Sequence, residues 1–409
     1  MSALPPTQQR QAKARDTLPK VVMVLGAVSF CTDVASEMIV PLLPVFLASL
    51  GGSHLALGVL QGVSDLVVAA LKFASGWISD RQQRRRPWIL FGYSLSAVLR
   101  PLYAVVATPW AAVAVRTADR VGKGLRQAPR DALLADAVAP HARGRAFGLV
   151  RALDHGGALA GSLLAFALLA TGFTEREVFA LALAPGLVGV ALVAMFIKEA
   201  ARSRELRSAG SDGGDVRRLL PFLVVVAFAA CGAGIDLFLL VRASELGASR
   251  AQLPLLWALL HVVRSGLAAP MGAKSDRLGR KRVIAWGLVA QTLVLAAFAV
   301  VDDLAWMWAL FALHGLHAAF VDGAERGYVA DLAGENRRGT AYGVYHAVQG
   351  VAAFIAPVAV GWTWDSHGAA PSLALASATS LLALCALLTL VRDDGKREGP
   401  FAPLQPRLR

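Results

Sequence analysis

Twelve stretches of about twenty apolar residues, separated by short polar links, leave this chain few ways to fold. A helix needs about twenty residues to cross the hydrocarbon of a bilayer, and in lipid each spanning segment must satisfy its own backbone amides. The chain is 56% hydrophobic and 17% charged, with a mean hydropathy of +0.55. A water-soluble domain is nearer half apolar and about a quarter charged, so a soluble enzyme is excluded. The apolar runs predict helices at 21–49, 55–79, 87–107, 109–136, 144–171 and 175–198, then at 219–243, 251–274, 283–301, 304–331, 340–363 and 371–391. The polar, Gly/Ser-rich stretch 199–218 reads as a flexible linker between two halves, 21–198 and 219–391, with tails at 1–20 and 392–409. The expected fold class is therefore an all-α membrane protein of twelve transmembrane helices in two pseudo-symmetric six-helix bundles.

The net charge of +13 raises nucleic acid or acidic lipid as partners. The location of the charges favours the bilayer. Lys and Arg gather in the tails, the linker and the links after the second and eighth helices, whereas Arg176 and Arg250 fall in predicted outer links. That asymmetry is the positive-inside bias, and it predicts that both termini are cytoplasmic. A basic soluble domain of the kind nucleic acid requires is not found. The polar start, Met1–Lys20, lacks the design of a cleaved signal peptide, and the segment after it is long enough to remain a span. Cys31, Cys231 and Cys385 sit within apolar runs without metal or disulfide spacing, and read as small core residues.

The halves repeat. The stretch from Gly76 reads Gly-Trp-Ile-Ser-Asp-Arg-Gln-Gln-Arg-Arg-Arg, and that from Gly272 reads Gly-Ala-Lys-Ser-Asp-Arg-Leu-Gly-Arg-Lys-Arg, with Asp80 and Asp276 196 positions apart. Ala135-Asp136 followed by Gly144 and Gly148 matches Ala330-Asp331 followed by Gly339 and Gly343 at an offset of 195. Parallel six-helix halves of this kind are a transporter plan, with substrate held between them at mid-membrane.

The fourth predicted helix carries Arg116, Asp119, Arg120, Lys123, Arg126 and Arg130 within an arc of roughly 120°. Facing lipid, these six charges would cost roughly 15–20 kcal/mol on the insertion scale, more than the net stability of most domains. The stripe must look into a wet cavity or onto opposite charges. Asp33 and Glu37 on the first helix, Asp154 on the fifth and Asp236 on the seventh are available counterions. The repeat partner of this helix, the tenth, instead presents His314, His317, Glu325 and Tyr328 within roughly 80°. An arginine wall suits an anionic group on a substrate, and the histidines and carboxylates opposite suit proton exchange. His261, Arg264 and His346 add to the C-terminal wall in this reading, although a lone histidine in a helix bundle is more often a packing residue. Gly156, Gly157 and Gly161 read as close-packing positions, and Pro41 with Pro44 as a kink.

The basic loops resemble the signature loop of the major facilitator superfamily, G-x-x-x-D-R-x-G-R-[KR]-[KR], which the second copy matches throughout and the first departs from at Gln83. Phe30-Cys31-Thr32-Asp33-Val34-Ala35-Ser36-Glu37-Met38, Asp119-Arg120-Val121-Gly122-Lys123-Gly124-Leu125-Arg126 and Leu240-Val241-Arg242-Ala243-Ser244-Glu245 are similar to a prokaryotic branch of that superfamily. The resemblance implies a conformational latch of Asp80, Arg81 and Arg84 with Asp136, and of Asp276, Arg277 and Arg280 with Asp331, closed in the outward-facing state. The glycine-proline pattern of drug/proton antiporters is not matched on the fifth helix, because no proline follows Gly156.

The expectation is a secondary active transporter of the prokaryotic inner membrane, a monomer working by rocking-switch alternating access, with no cofactor and a proton gradient as its energy source. Its substrate is a small organic solute bearing an anionic group. Arg120, Lys123, Arg126, Arg130, His314, His317 and Tyr328 are the substrate-binding candidates, and Asp33, Glu37 and Glu325 the proton-coupling ones. Efflux of a divalent metal or a drug is an alternative: Asp33, Glu37 and Cys31, or Asp236, His261 and His314, offer ligands for a transition ion, although the arginines beside them oppose a cation. A sensor or assembly partner that transports nothing is a second alternative. No nucleophile-base pair, metal motif or phosphate loop supports a membrane enzyme.

Overall fold

The computed structural model describes residues 19–82, 84–138, 143–197, 219–333 and 338–391, all helix and short connections. The side chains of Asp80 and Asp276, the linker, the C-terminal tail and most of the N-terminal tail lie outside the described residues.

Joining segments across local breaks, the described residues run as twelve rods. In the N-terminal half these are α1 Lys20–Ser49, α2 His54–Gln82, α3 at 86–104, α4 Pro109–Ala137, α5 Arg143–Ala170 and α6 Glu175–Phe196. In the C-terminal half they are α7 Leu220–Glu245, α8 Gln252–Leu278, α9 Arg280–Val300, α10 Leu304–Ala333, α11 Arg338–His367 and α12 Ala369–Leu390. Among the described residues nine rods are long and apolar enough to cross a membrane. The other three are α3, whose α-helical part is short, α4, which carries the inward charges described below, and α8.

Two breaks have clear causes. Pro41 lacks an amide hydrogen and crowds the preceding turn, so α1 passes through a 3-10 turn at Val40–Leu42 before resuming. In α7 the helix stops after Ala233 and restarts at Asp236, across Gly234. Gly279 opens α9 with φ of +93°, a backbone that a side chain would strain. The matching position of the first half is Gln83, which lies outside the described residues.

Packing repeats the internal symmetry. In the first half α2 and α3 pack on α4, α1 on α5 and α6, and α3 on α6; in the second α8 and α9 pack on α10, α7 on α11 and α12, and α9 on α12. The halves meet through α2 against α11 and α5 against α8, a pair of contacts that the same exchange interconverts. Both kinds of contact use glycine. Gly157 and Gly161 of α5 lie against the backbone of Phe30 and Val34 in α1, while Gly58 and Gly62 of α2 lie under the carbonyls of Pro357 and Phe354 in α11. A β-carbon at any of these four would meet backbone atoms.

At the end away from the basic links, polar contacts tie the halves. His54, at the start of α2, donates its backbone amide to Asp365 Oδ1 at 2.9 Å and sets its Nδ1 2.8 Å from the same oxygen. The Leu55 amide donates to Asp365 Oδ2 at 2.9 Å. The His54 ring stacks on Trp364 at 5.6 Å, and its Nε2 lies 3.8 Å from Glu245, which accepts the Trp364 indole hydrogen at 2.9 Å. Arg250 adds an ion pair to Glu175 at 2.8 Å. Helix direction places this seal opposite the tails.

Candidate functional site

Helical periodicity puts the charges of α4 on one side, and the bundle turns that side inward. The stripe then divides by depth. Nearer the sealed end, Asp119, whose side chain is 1% exposed, lies 3.2 Å from Arg100 Nε, 3.1 Å from Arg120 Nη2 and 4.0 Å from Arg116 Nη1. Arg100 also donates to the Thr32 carbonyl at 2.9 Å, and Arg120 to Ser36 Oγ at 3.5 Å. One carboxylate among three guanidiniums thus binds α1, α3 and α4 together.

Nearer the basic links the stripe lines a cavity of about 170 Å³. Ser29, Asp33 and Glu37 come from α1, Lys123, Arg126 and Arg130 from α4, and Arg151, Asp154 and His155 from α5. Arg126 and Arg130 are held here, whereas Arg151 is exposed. Arg126 donates to the Gly92 carbonyl at 3.1 Å and Ser96 Oγ at 2.7 Å, and its guanidinium lies 4.5 Å over the Tyr93 ring. Arg130 donates to Ser29 Oγ at 2.7 Å and to Asp131 at 3.0 Å, with Asp154 at 3.9 Å. Lys123 differs: among the described residues it makes no hydrogen bond and no ion pair within 4.0 Å, and it feels the carboxylates of Asp33 and Glu37 across the cavity. A cation placed in this way keeps its donors for a ligand. Glu37 reaches the other half, accepting the Trp257 indole hydrogen from α8 at 2.7 Å.

Several sequence-selected residues lie elsewhere. Arg120 belongs to the Asp119 cluster and is outside the cavity lining. The α10 residues turn into the C-terminal bundle. His314 Nε2 lies 2.9 Å from Asp236, and His317 Nδ1 donates to the Gly287 carbonyl of α9 at 2.8 Å. Glu325 accepts from the Tyr345 hydroxyl at 2.8 Å, and Tyr328 meets the edge of Phe222 at 4.7 Å. His314, His317 and Glu325 are each 4% exposed. Periodicity gave their common face correctly, but a helix rotated by packing can aim that face at a neighbour as readily as at a cavity. Arg264 and His346 are half-buried and exposed respectively, with His346 next to Gln349 at 3.3 Å.

The latch residues pair within each half. Asp136 is met by Arg85 at 2.6 Å, not by Arg81, which stacks on Trp77 at 3.8 Å, nor by Arg84. Asp331 is met by Arg280 at 2.5 Å, along a path that the missing side chain of Gly327 leaves open. Arg277 is exposed, and the contribution expected of Asp80 and Asp276 lies outside the described residues. Both pairs are closed while the opposite end is sealed. The resemblance placed closed latches in the outward-facing state. Because each pair joins elements of one half, the relative position of the halves does not oblige it to open.

Sequence reasoning missed five participants. Arg100, buried and paired to Asp119, was signalled by an arginine within an apolar run. Asp65 carried the same signal: on α2, it has no hydrogen bond or ion pair among the described residues and faces the field of Arg116, Arg120 and Lys123. Trp257 and the His54–Asp365 pair had no local signature, since polar residues at helix ends look like ordinary loop polarity. Among the described residues, no three His, Cys, Asp or Glu side chains come together as a metal site would need.

Two repeated bundles with a charged cavity, sealed at one end, follow the plan of a multi-pass membrane transport protein. The chain belongs to the Major Facilitator Superfamily, which matches it over residues 25–260 and again over 219–407. An uncharacterized MFS-type transporter of Methanocaldococcus jannaschii is 29% identical over 356 residues, covering 85% of this chain and 89% of that one. An uncharacterized protein of Mycobacterium tuberculosis is 30% identical over 365 residues, covering 85% and 87%. The crystal structure of the nucleoside transporter NupG superposes with a TM-score of 0.76 at 13% identity, over 91% of this chain and 99% of that one, a likeness of fold alone.

Proposed function

We propose that this chain carries a small organic solute with an anionic group across a prokaryotic inner membrane, coupled to protons, as a monomer that rocks between two states. The observation that carries the reading is Lys123, a half-buried cation of the cavity wall with no protein partner among the described residues, beside the paired Arg126 and Arg130. The anionic group docks on Lys123 while the held arginines set a positive field. Asp33 and Glu37, across the cavity, are the proton carriers on this side, because a proton on either offsets the negative charge that the solute brings. Glu325, bonded to Tyr345, which in turn accepts from Gln349 at 2.7 Å, is the candidate in the other half.

Proton and solute can bias rocking only if they favour one state over the other. Glu37 supplies such a bias through Trp257. A proton on Glu37 weakens a charge-assisted hydrogen bond across the seam, and with it the seal at the outer end. With both tails cytoplasmic, the sealed end faces outward and the structure corresponds to the inward-facing state.

The test is solute uptake and counterflow in proteoliposomes under an imposed pH gradient. Lys123→Ala should abolish solute-dependent flux, and Glu37→Gln should uncouple flux from the gradient while counterflow survives. Intact pH-driven transport in Asp33→Asn, Glu37→Gln and Glu325→Gln together would remove the coupling assignment. Solute-dependent flux in Lys123→Ala equal to wild type would remove the anion-docking role.

A further inference from the structure

Among the described residues the cavity draws its lining from the N-terminal half with one exception, His261 of α8. Both ring nitrogens of His261 are buried, and among the described residues neither has a hydrogen-bond partner. A neutral imidazole has one donor and one acceptor, and buried polar groups of native proteins are nearly always satisfied. The packing histidines each anchor one ring nitrogen: His314 sets Nε2 against Asp236, with its Nδ1 left buried and unpartnered among the described residues, and His317 uses the Gly287 carbonyl. His261 instead holds its ring by shape, with Trp257 packed edge-on at 5.2 Å one turn away. Trp257 is itself fixed by its bond to Glu37. The ring is therefore positioned at the cavity with its hydrogen-bonding capacity unused.

We infer that His261 is the C-terminal half's contact with the transported solute, and that the solute carries, beside its anionic group, a neutral hydrogen-bonding group, a hydroxyl or a carbonyl. This rests on the anion reading given above. The charged walls of the cavity belong to the first half, so the anionic group binds there. The second group, received by an imidazole across the seam, makes one molecule span both halves. A solute that bridges the seam binds differently in the two states, which is the condition for driving the conformational change. An anion lacking the second group occupies Lys123 and leaves His261 unsatisfied. Sites built to hydrogen-bond a substrate discriminate strongly against analogues that lack the partner.

Three six-carbon probes separate the contributions: gluconate carries the anion and hydroxyls, hexanoate only the anion, sorbitol only hydroxyls. Thermal stabilisation of the purified full-length protein in detergent gives an apparent affinity for each. Gluconate should bind wild type roughly tenfold more tightly than hexanoate, the effect of one net hydrogen bond. His261→Ala should erase that preference while hexanoate binding is unchanged, and His261→Gln, which keeps a donor and an acceptor, should restore part of it. Unliganded melting of each variant checks that the fold is retained. A gluconate preference that persists in His261→Ala overturns the inference and leaves the anion reading standing. Stabilisation by sorbitol that equals gluconate, persists in Lys123→Ala and is lost in His261→Ala overturns the anion reading and supports the histidine contact. Absence of binding by all three probes overturns both.

Discussion

Asp119 and Lys123 sit one turn apart on the same stripe, and their surroundings set opposite consequences for their loss. Removing the Asp119 carboxylate leaves Arg100, Arg116 and Arg120 buried together without their counterion. Breaking a buried charge group in this way costs about 3–5 kcal/mol. We expect Asp119→Ala to melt well below wild type in detergent, or to fail to accumulate in the membrane. Lys123→Ala removes a charge that the protein does not pair, and its unliganded melting temperature should match or exceed that of wild type while its solute response is lost. Equal melting of both variants would contradict this division of the stripe. A sequence shows that six charges share a face, because the 3.6-residue period is local. Which of them find partners depends on Arg100 and Ser36 from other helices, and no local pattern reports that.

The contacts between elements that decide the state are those of α2 with α11. Gly58 lies under the Pro357 carbonyl, and Gly361 lies against the backbone of His54. Gly58→Val should therefore separate α2 from α11 and open the sealed end. The His54–Asp365 clamp is half-exposed, and pairs of that kind are worth about 0.2–1 kcal/mol. His54→Ala should raise labelling of a cysteine at Ser244 by about two- to fivefold, in a background lacking Cys31, Cys231 and Cys385, and Gly58→Val should raise it more. Labelling unchanged in both would show that the seal is held elsewhere. Gly157 and Gly161 of α5 were legible as close-packing positions, whereas Gly156, chosen with them, has only ordinary contact with Phe30 at 3.7 Å. On α2 Gly58 and Gly62 share the four-residue spacing of Gly157 and Gly161, and the helix that covers them was known only from the fold.

For the whole molecule, alternation requires the two bundles to part at one end as they close at the other. Cross-linking cysteines placed at His54 and Asp365 should block transport completely and leave gluconate stabilisation of the purified protein intact, since the cavity lies on the far side of the clamp. Transport that continues after full cross-linking would rule out rocking about this seal. Both ends of the chain should be reachable from the cytoplasmic side alone.

The sequence by itself determined the helices, the two halves, their internal repeat and the inward turn of the α4 stripe, because each follows from the cost of exposing backbone or charge to lipid. It also placed Asp33, Glu37, Lys123, Arg126 and Arg130 within helices that the fold brings to one cavity. Tertiary structure alone decided that Arg120 pairs while Lys123 does not, that Arg85 closes on Asp136, and that the α10 histidines and Glu325 face their own bundle. It also separated His261, which lines the cavity, from Arg264 and His346, which the sequence offered beside it and which do not. The physical reason is common to these cases: periodicity fixes which side chains share a face, and the rotation of that face is set by packing against helices that are remote in the chain.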